Sequence, residues 1–184
     1  MNDVKTSKFL SLVLRHKPET IGMKLDSEGW LDINELISQA NKYGNGITLD
    51  LLHEIVATND KKRFAISEDG LKIRASQGHS VKAVDLNLSV IEPPDILYHG
   101  TVAQFMDNIR KVGLQKRSRN HVHLSLDEAT ANKVAARRGK PVILEIAAKE
   151  MHDAKNVFYL SANNVWLTDS VPVEFILNLE AKKC

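Results

Sequence analysis

The chain has 184 residues, 43% of them hydrophobic and 26% charged, with a net charge of +2 at pH 7. A chain this long buries roughly 70% of its unfolded surface without disulfide or metal staples, and the near-balanced charge excludes both a histone-like polycation and an acidic disordered chain. No apolar run approaches the ~18–20 residues of a membrane span, the first five residues lack a signal-peptide core, and the single cysteine, Cys184, cannot form a disulfide within the chain, so a reducing, cytoplasmic location is expected.

Taken in order, the first half reads as three short helices and a hairpin. Phe9, Leu10, Val13 and Leu14 recur at helical spacing from Ser7 to Arg15, and Pro18 ends that helix. Trp30-Leu31 leads into Asp32 with Glu35 three residues on, a capping-box pattern, and Ile33, Leu36, Ile37 and Ala40 then form one apolar stripe. After Gly44 and Gly46, Thr48 is a plausible cap for a third helix carrying Leu51, Leu52, Ile55 and Val56. Phe64 and Ile66, a turn at Glu68-Asp69-Gly70, then Leu71 and Ile73 read as a hairpin, with Lys61-Lys62-Arg63 expected near its tip. Three helices followed by a hairpin predict a winged-helix-like lobe, a form that binds nucleic acid or docks proteins.

Residues 75–95 read as a connector, closed by Pro93-Pro94. The domain boundary is placed there, giving lobes of 1–90 and 91–184. In the second lobe Ile96-Leu97-Tyr98 predicts a strand running into a turn at His99-Gly100-Thr101. Residues 102–112 predict a helix ended by Gly113, Val122–Ser125 a strand, and 127–138 a basic helix. Strands are expected at 142–147, 158–160, 165–167 and 173–179. Short strands with a few helices place the fold in the α+β class.

The chemistry-bearing residues are mostly basic. Between 110 and 140 nine basic side chains stand against two acidic ones, Asp127 and Glu128, a field that either attracts a polyanion or is a solvated face. Arg15-His16 either complements the end of the first helix dipole or clamps a phosphate through a guanidinium fork and an imidazolium. His121 and His123, on one face of a strand, lack a third ligand at a recognisable spacing, so no metal is expected. The Tyr98-His99-Gly100-Thr101 turn would offer backbone N–H, imidazole and hydroxyl to a ribose or phosphate, or Thr101 simply caps a helix. Dinucleotide and Walker fingerprints are absent from the sequence. A set rich in Arg and His and poor in acid suits stabilisation of phosphate charge.

Several of these segments together resemble one family. Ser7 to Pro18 (SKFLSLVLRHKP), Gly29-Trp30, Arg63-Phe64, Gln77-Gly78-His79-Ser80, Tyr98 to Thr101, Arg119 to Ser125 (RNHVHLS) and Arg138-Gly139 are similar, in order and over nearly the whole chain, to the NAD-dependent RNA 2′-phosphotransferases of the KptA type.

The resemblance implies an N-terminal winged-helix-like RNA-binding lobe and a C-terminal ADP-ribosyltransferase-like mixed α/β lobe, with the active site in the cleft between them. It implies transfer of an internal RNA 2′-phosphate, as at a tRNA splice junction, to NAD. The products would be 2′-OH RNA, ADP-ribose 1″,2″-cyclic phosphate and nicotinamide. NAD would be consumed as co-substrate and no metal used. By the resemblance Arg15, His16, Arg63 and Arg119 are the catalytic set. His79, Ser80, His99, Gly100, Thr101, His123, Ser125 and Arg138 are implied to bind NAD. His99 and His123 take the first two positions of the triad of such lobes, and the third falls on an apolar residue near Val171 or Val173. The expected partner is RNA carrying a 2′-phosphate, with no membrane and no obligate protein partner. Two other readings stay open: an ADP-ribosyltransferase acting on terminal phosphates of RNA or DNA, and a winged-helix regulator that senses NAD.

Overall fold

A computed structural model describes residues 3–179; Cys184 lies outside them. The chain divides into two compact units, residues 1–87 and 88–184. Both mix α and β, and every named strand pair is antiparallel. Among the described residues no helix is long and apolar enough to cross a membrane.

The N-terminal unit is built from α1 (Asp3–Arg15), α2 (Ile33–Lys42) and α3 (Leu49–Thr58), with short strands β1 (Leu31–Asp32), β2 (Phe64–Ile66) and β3 (Lys72–Ala75) in the order β1-β3-β2. The first helix begins four residues before the apolar pattern does, because propensity alone extends it outward from its buried face. That face is Leu10, Val13 and Leu14, all inaccessible to solvent; each contributes about 1.5–3 kcal/mol by burial. Both expected caps are formed. Asp32 accepts a hydrogen bond from the Glu35 N–H at 2.8 Å and Thr48 accepts one from the Leu51 N–H at 3.2 Å. The hairpin is present with its turn at Ser67–Gly70. Lys61-Lys62-Arg63 is not at its tip. It lies at the opposite, open end, between α3 and β2, since the two strands pair from Phe64↔Ala75 onward.

The C-terminal unit is organised around the long antiparallel pair β4 (Ile96–Val102) and β7 (Pro141–Ala147), in register from Ile96↔Ala147 to Val102↔Pro141. A three-stranded sheet has the order β6 (Val122–Leu124), β9 (Trp166–Thr168), β8 (Phe158–Leu160), and β5 (Leu114–Gln115) pairs with β10 (Ser170–Val171). Helices α4 (Met106–Val112), α5 (Glu128–Ala135) and α6 (Ala148–Asp153) complete it. Tyr98 and Ser125 exchange backbone hydrogen bonds at 2.9 and 2.7 Å, which brings the end of β6 alongside β4.

Three expectations change here. His99-Gly100-Thr101 is not a turn but the interior of β4, because pairing with β7 carries the strand four residues past Tyr98. Thr101 therefore caps no helix. The basic helix stops at Ala135, leaving Arg137 and Arg138 beyond it. Residues 173–179 form no strand: Pro172 leads into a 3₁₀ turn at Val173–Phe175, followed by a single bridge from Ile176 to Ile146.

Candidate active site

In the N-terminal unit the residues of interest converge on the end of α1. Arg15 is the last residue of that helix, where backbone carbonyls lack intrahelical partners. The Arg15 carbonyl is satisfied from far along the chain, by the Ser80 N–H at 2.8 Å. The Ser80 hydroxyl oxygen lies 2.9 Å from Nδ1 of His16. Gly78 rests against the Arg15 guanidinium. A Cβ on Gly78 would be 3.6 Å from the nearest guanidinium nitrogen, an ordinary contact, so it is the φ of +88° that requires glycine.

His79 points the other way, into the unit. It is 2% exposed, and neither ring nitrogen has a hydrogen-bond partner in the protein. Burial first, and then the charges of Arg15, Arg74 and His16, push it down to about 4, so the ring is neutral at pH 7. Gly29 makes room for it: a Cβ there would sit 2.9 Å from His79 Nε2. The Gly29-Trp30 motif thus serves His79 packing, and Arg74 covers the Trp30 ring at 4.4 Å.

Arg63 joins the same segment from its other end. Its N–H donates to Asn59 Oδ1 at 3.3 Å, its carbonyl accepts from the Ser76 N–H at 2.9 Å, and the Ser76 hydroxyl donates to the Lys62 carbonyl at 2.7 Å. Residues 76–80 therefore hold Arg63 at one end and Arg15-His16 at the other.

In the C-terminal unit His99, Arg119, His123 and Arg138 form a second group. Arg119 sits on the loop after β5, and that loop is pinned twice. Lys116 pairs with Asp169 at 3.1 Å, and Arg117, in left-handed backbone at φ 53°, stacks on the Phe105 ring at 5.0 Å. A guanidinium only donates, so its 3.3 Å contact with His123 Nδ1 makes that nitrogen an acceptor and puts the His123 proton on Nε2. A carbonyl only accepts, so the 2.9 Å contact between His99 Nδ1 and the His123 carbonyl puts the His99 proton on Nδ1. Desolvation chiefly, and then Arg138 and Arg119, lower the His99 pKa against the opposing pull of that hydrogen bond. His99 is held neutral, with Nε2 a bare acceptor. Arg119 is solvent-exposed as a residue, but protein around its guanidinium and the Arg138 charge lower its pKa; it stays charged at neutral pH.

The other predicted residues are placed as follows. Gly100 faces α5, not open space: a Cβ would lie 2.0 Å from the Ala131 carbonyl oxygen. Thr101 is 6% exposed. Ser125 joins β6 to β4 through its backbone. His121 lies just outside β6 and makes an edge contact with Tyr159, ring centroids 5.5 Å apart. Val171 is buried in β10 and Val173 begins the 3₁₀ turn. Among the described residues no group of three or more His, Cys, Asp or Glu could hold a metal. Sequence reasoning missed the loop supports Phe105, Arg117 and Asp169. The Lys116–Asp169 pair spans 53 residues and has no local signature.

The comparisons with known proteins agree on one assignment. A family model described as RNA 2'-phosphotransferase, Tpt1 / KptA family, matches residues 1–170. A probable RNA 2′-phosphotransferase of Rhodopirellula baltica is 65% identical over 173 residues, 94% of each chain. One of Flavobacterium johnsoniae is 59% identical over 92% of this chain and 93% of its own, and one of Escherichia coli is 55% identical over 93% of each. With such coverage, and with its arginines and histidines gathered as described, the chain belongs to the RNA 2′-phosphotransferase (Tpt1 / KptA) family of enzymes.

Proposed function

We propose that this protein removes an internal 2′-phosphate from RNA by transferring it to NAD, leaving a 2′-OH on the RNA and releasing ADP-ribose 1″,2″-cyclic phosphate and nicotinamide. The observation that carries the reading is the donor set of the C-terminal unit. Among the described residues, the charges that lower the His99 pKa are those of Arg138 and Arg119, and the charge that lowers the Arg119 pKa is that of Arg138. Such a set fits NAD. Arg138 suits a pyrophosphate, while the His99 Nε2 acceptor and the His123 Nε2–H donor suit ribose hydroxyls. Three helices and a three-stranded antiparallel sheet support a winged-helix-like, RNA-binding role for the N-terminal unit. The strand pairs and helices of the C-terminal unit are compatible with an ADP-ribosyltransferase-like lobe.

When bound, NAD supplies an electrophilic ribose carbon whose leaving group is nicotinamide. Phosphate binding is assigned to Arg15, His16, Arg63 and Arg119. Guanidinium forks and an imidazole N–H orient a phosphate dianion and stabilise the charge that builds on its oxygens. The dianion is already ionised, so no side chain need remove a proton to make it a nucleophile. A carboxylate at the third triad position would repel it, which accords with an apolar residue there.

The test is a 2′-phosphorylated oligonucleotide incubated with and without NAD. Dephosphorylated RNA and the cyclic phosphate are expected only with NAD. Modification of terminal phosphates alone would favour the ADP-ribosyltransferase reading, and NAD binding without turnover the regulator.

The Arg119–His123 contact yields a second expected result. If His123 holds Arg119 in place, His123→Ala should lower turnover much less in an Arg119→Ala background than in the wild type. The coupling should be on the order of 0.5–3 kcal/mol, measured by a double-mutant cycle on single-turnover rates. Additive losses would show that the two act separately.

A further inference from the structure

Lys116, Arg117 and Arg119 place three cations within four residues, a density that on charge alone would suit the phosphates of RNA. The fold gives each a different partner. The Arg119 N–H donates to the Lys116 carbonyl at 3.1 Å and closes the four residues into a turn. Arg117 within it takes the left-handed backbone, φ 53°, which costs a residue with a Cβ and is kept only where the surroundings hold it. Lys116 Nζ lies 3.1 Å from Asp169 Oδ1, the Arg117 guanidinium lies over the Phe105 ring at 5.0 Å, and Arg119 reaches His123 Nδ1 at 3.3 Å. We infer that Lys116 and Arg117 are positioning residues and not RNA ligands: bound to Asp169 and Phe105, they hold the turn at two points and so aim the Arg119 guanidinium at the phosphate.

Asp169 stands where the two sides of the Arg119–His123 contact meet. It lies between β9 and β10. Two residues before it, Leu167 of β9 is paired with His123 of β6; one residue after it, Ser170 of β10 is paired with Gln115 of β5, which leads into the turn. The Lys116–Asp169 pair continues the β5–β10 register by one step, and it ties the residue that begins the turn to the segment paired with the strand of His123. One attachment would still let the turn swing about its stem. Phe105, partly buried against the C-terminal core, supplies a second from another segment. Lys116, Arg117 and Asp169 are exposed, and in such positions an ion pair or a cation over a ring adds little to fold stability. Direction is what they contribute, and a donor displaced by about 1 Å can cost a reaction far more than it costs a fold.

This inference rests on the assignment of Arg119 to the phosphate, and the experiment separates the two. Arg117→Ala, Asp169→Ala and the exchange of Lys116→Asp with Asp169→Lys are compared in wild-type and Arg119→Ala backgrounds. Single-turnover rates are measured with 2′-phosphorylated RNA and NAD, RNA affinity is measured without NAD over a range of salt, and each variant is melted. Each alanine change is expected to lower the rate about five- to tenfold in the wild-type background and less than about twofold beside Arg119→Ala. The melting temperature should stay within about 2 °C of the parent. The exchange, which reverses the ion pair without removing it, should recover most of the rate lost in Asp169→Ala. The slope of log affinity against log salt should not move with Arg117→Ala. A slope shallower by about 0.7, the value of one single-strand phosphate contact, would make Arg117 an RNA ligand and overturn the inference. So would losses that persist undiminished beside Arg119→Ala, or rates within about twofold of wild type for both alanine variants. An Arg119→Ala rate equal to wild type overturns the phosphate assignment, and this inference with it.

Discussion

Arg119→Ala is expected to lower phosphate removal by about 10²–10³-fold, equivalent to ~2.7–4 kcal/mol of barrier, while leaving thermal stability nearly unchanged. Its guanidinium is directed by His123 at 3.3 Å and sits in the field of Arg138, partly stripped of water. There a charge-assisted donor is worth more than it would be in bulk solvent. The fold does not depend on it. The residue is exposed, and its loop stays anchored by the Lys116–Asp169 pair and by Arg117 on Phe105, so the stability change should stay within about 0.5 kcal/mol. Arg119→Lys should recover only part of the rate, because an ammonium restores charge but not the planar fork or the bond to His123. Single-turnover rates and a melting curve decide the matter. An alanine variant within fivefold of the wild-type rate would remove Arg119 from the chemistry.

Gly100→Ala should act in the opposite way, through the fold. The added methyl would stand 2.0 Å from the Ala131 carbonyl oxygen, 2.8 Å from its carbonyl carbon and 3.0 Å from the Ala135 Cβ. The first two atoms are backbone of α5 and cannot turn aside, so the helix must lift off β4. Overpacking of this kind costs at least ~3 kcal/mol. In a unit of this size that lowers the melting temperature by more than ~10 °C. Trp166 lies in β9 of the C-terminal unit and Trp30 in the N-terminal unit. In a Trp30→Phe background, fluorescence therefore follows the affected unit alone. An unchanged transition would mean that α5 does not lie against Gly100.

Features written in short stretches of sequence were legible. The caps at Asp32 and Thr48 and the stripes of α1 and α2 depend on neighbours within four residues, where periodicity and side-chain reach suffice. His99-Gly100-Thr101 was misread as a turn for a physical reason. A glycine after a short apolar run is a turn signal locally, but here its missing Cβ admits the helix at Ala131 and Ala135, and the partner strand that extends β4 lies about 40 residues away. The candidate site divides in the same manner. Arg15, His16, Arg63, Arg119 and the histidines could be named from motif order. What holds them could not, because Ser80 to His16, Lys116 to Asp169 and Ser76 to Arg63 are contacts between distant segments with no spacing rule.

Among the described residues, none belongs to both hydrophobic cores. One is closed by side chains from Leu10 to Val84, the other by side chains from Leu97 to Ile176. During synthesis the N-terminal unit therefore owns every core partner it needs before the second unit has been made. Translation of the remaining residues takes on the order of 5–20 s, long against the folding time of a small mixed α/β unit. The end of α1, with Arg15 closed by Ser80 and Arg63 tied through Ser76, can thus be in place on the ribosome while β4 and β7 are still unmade.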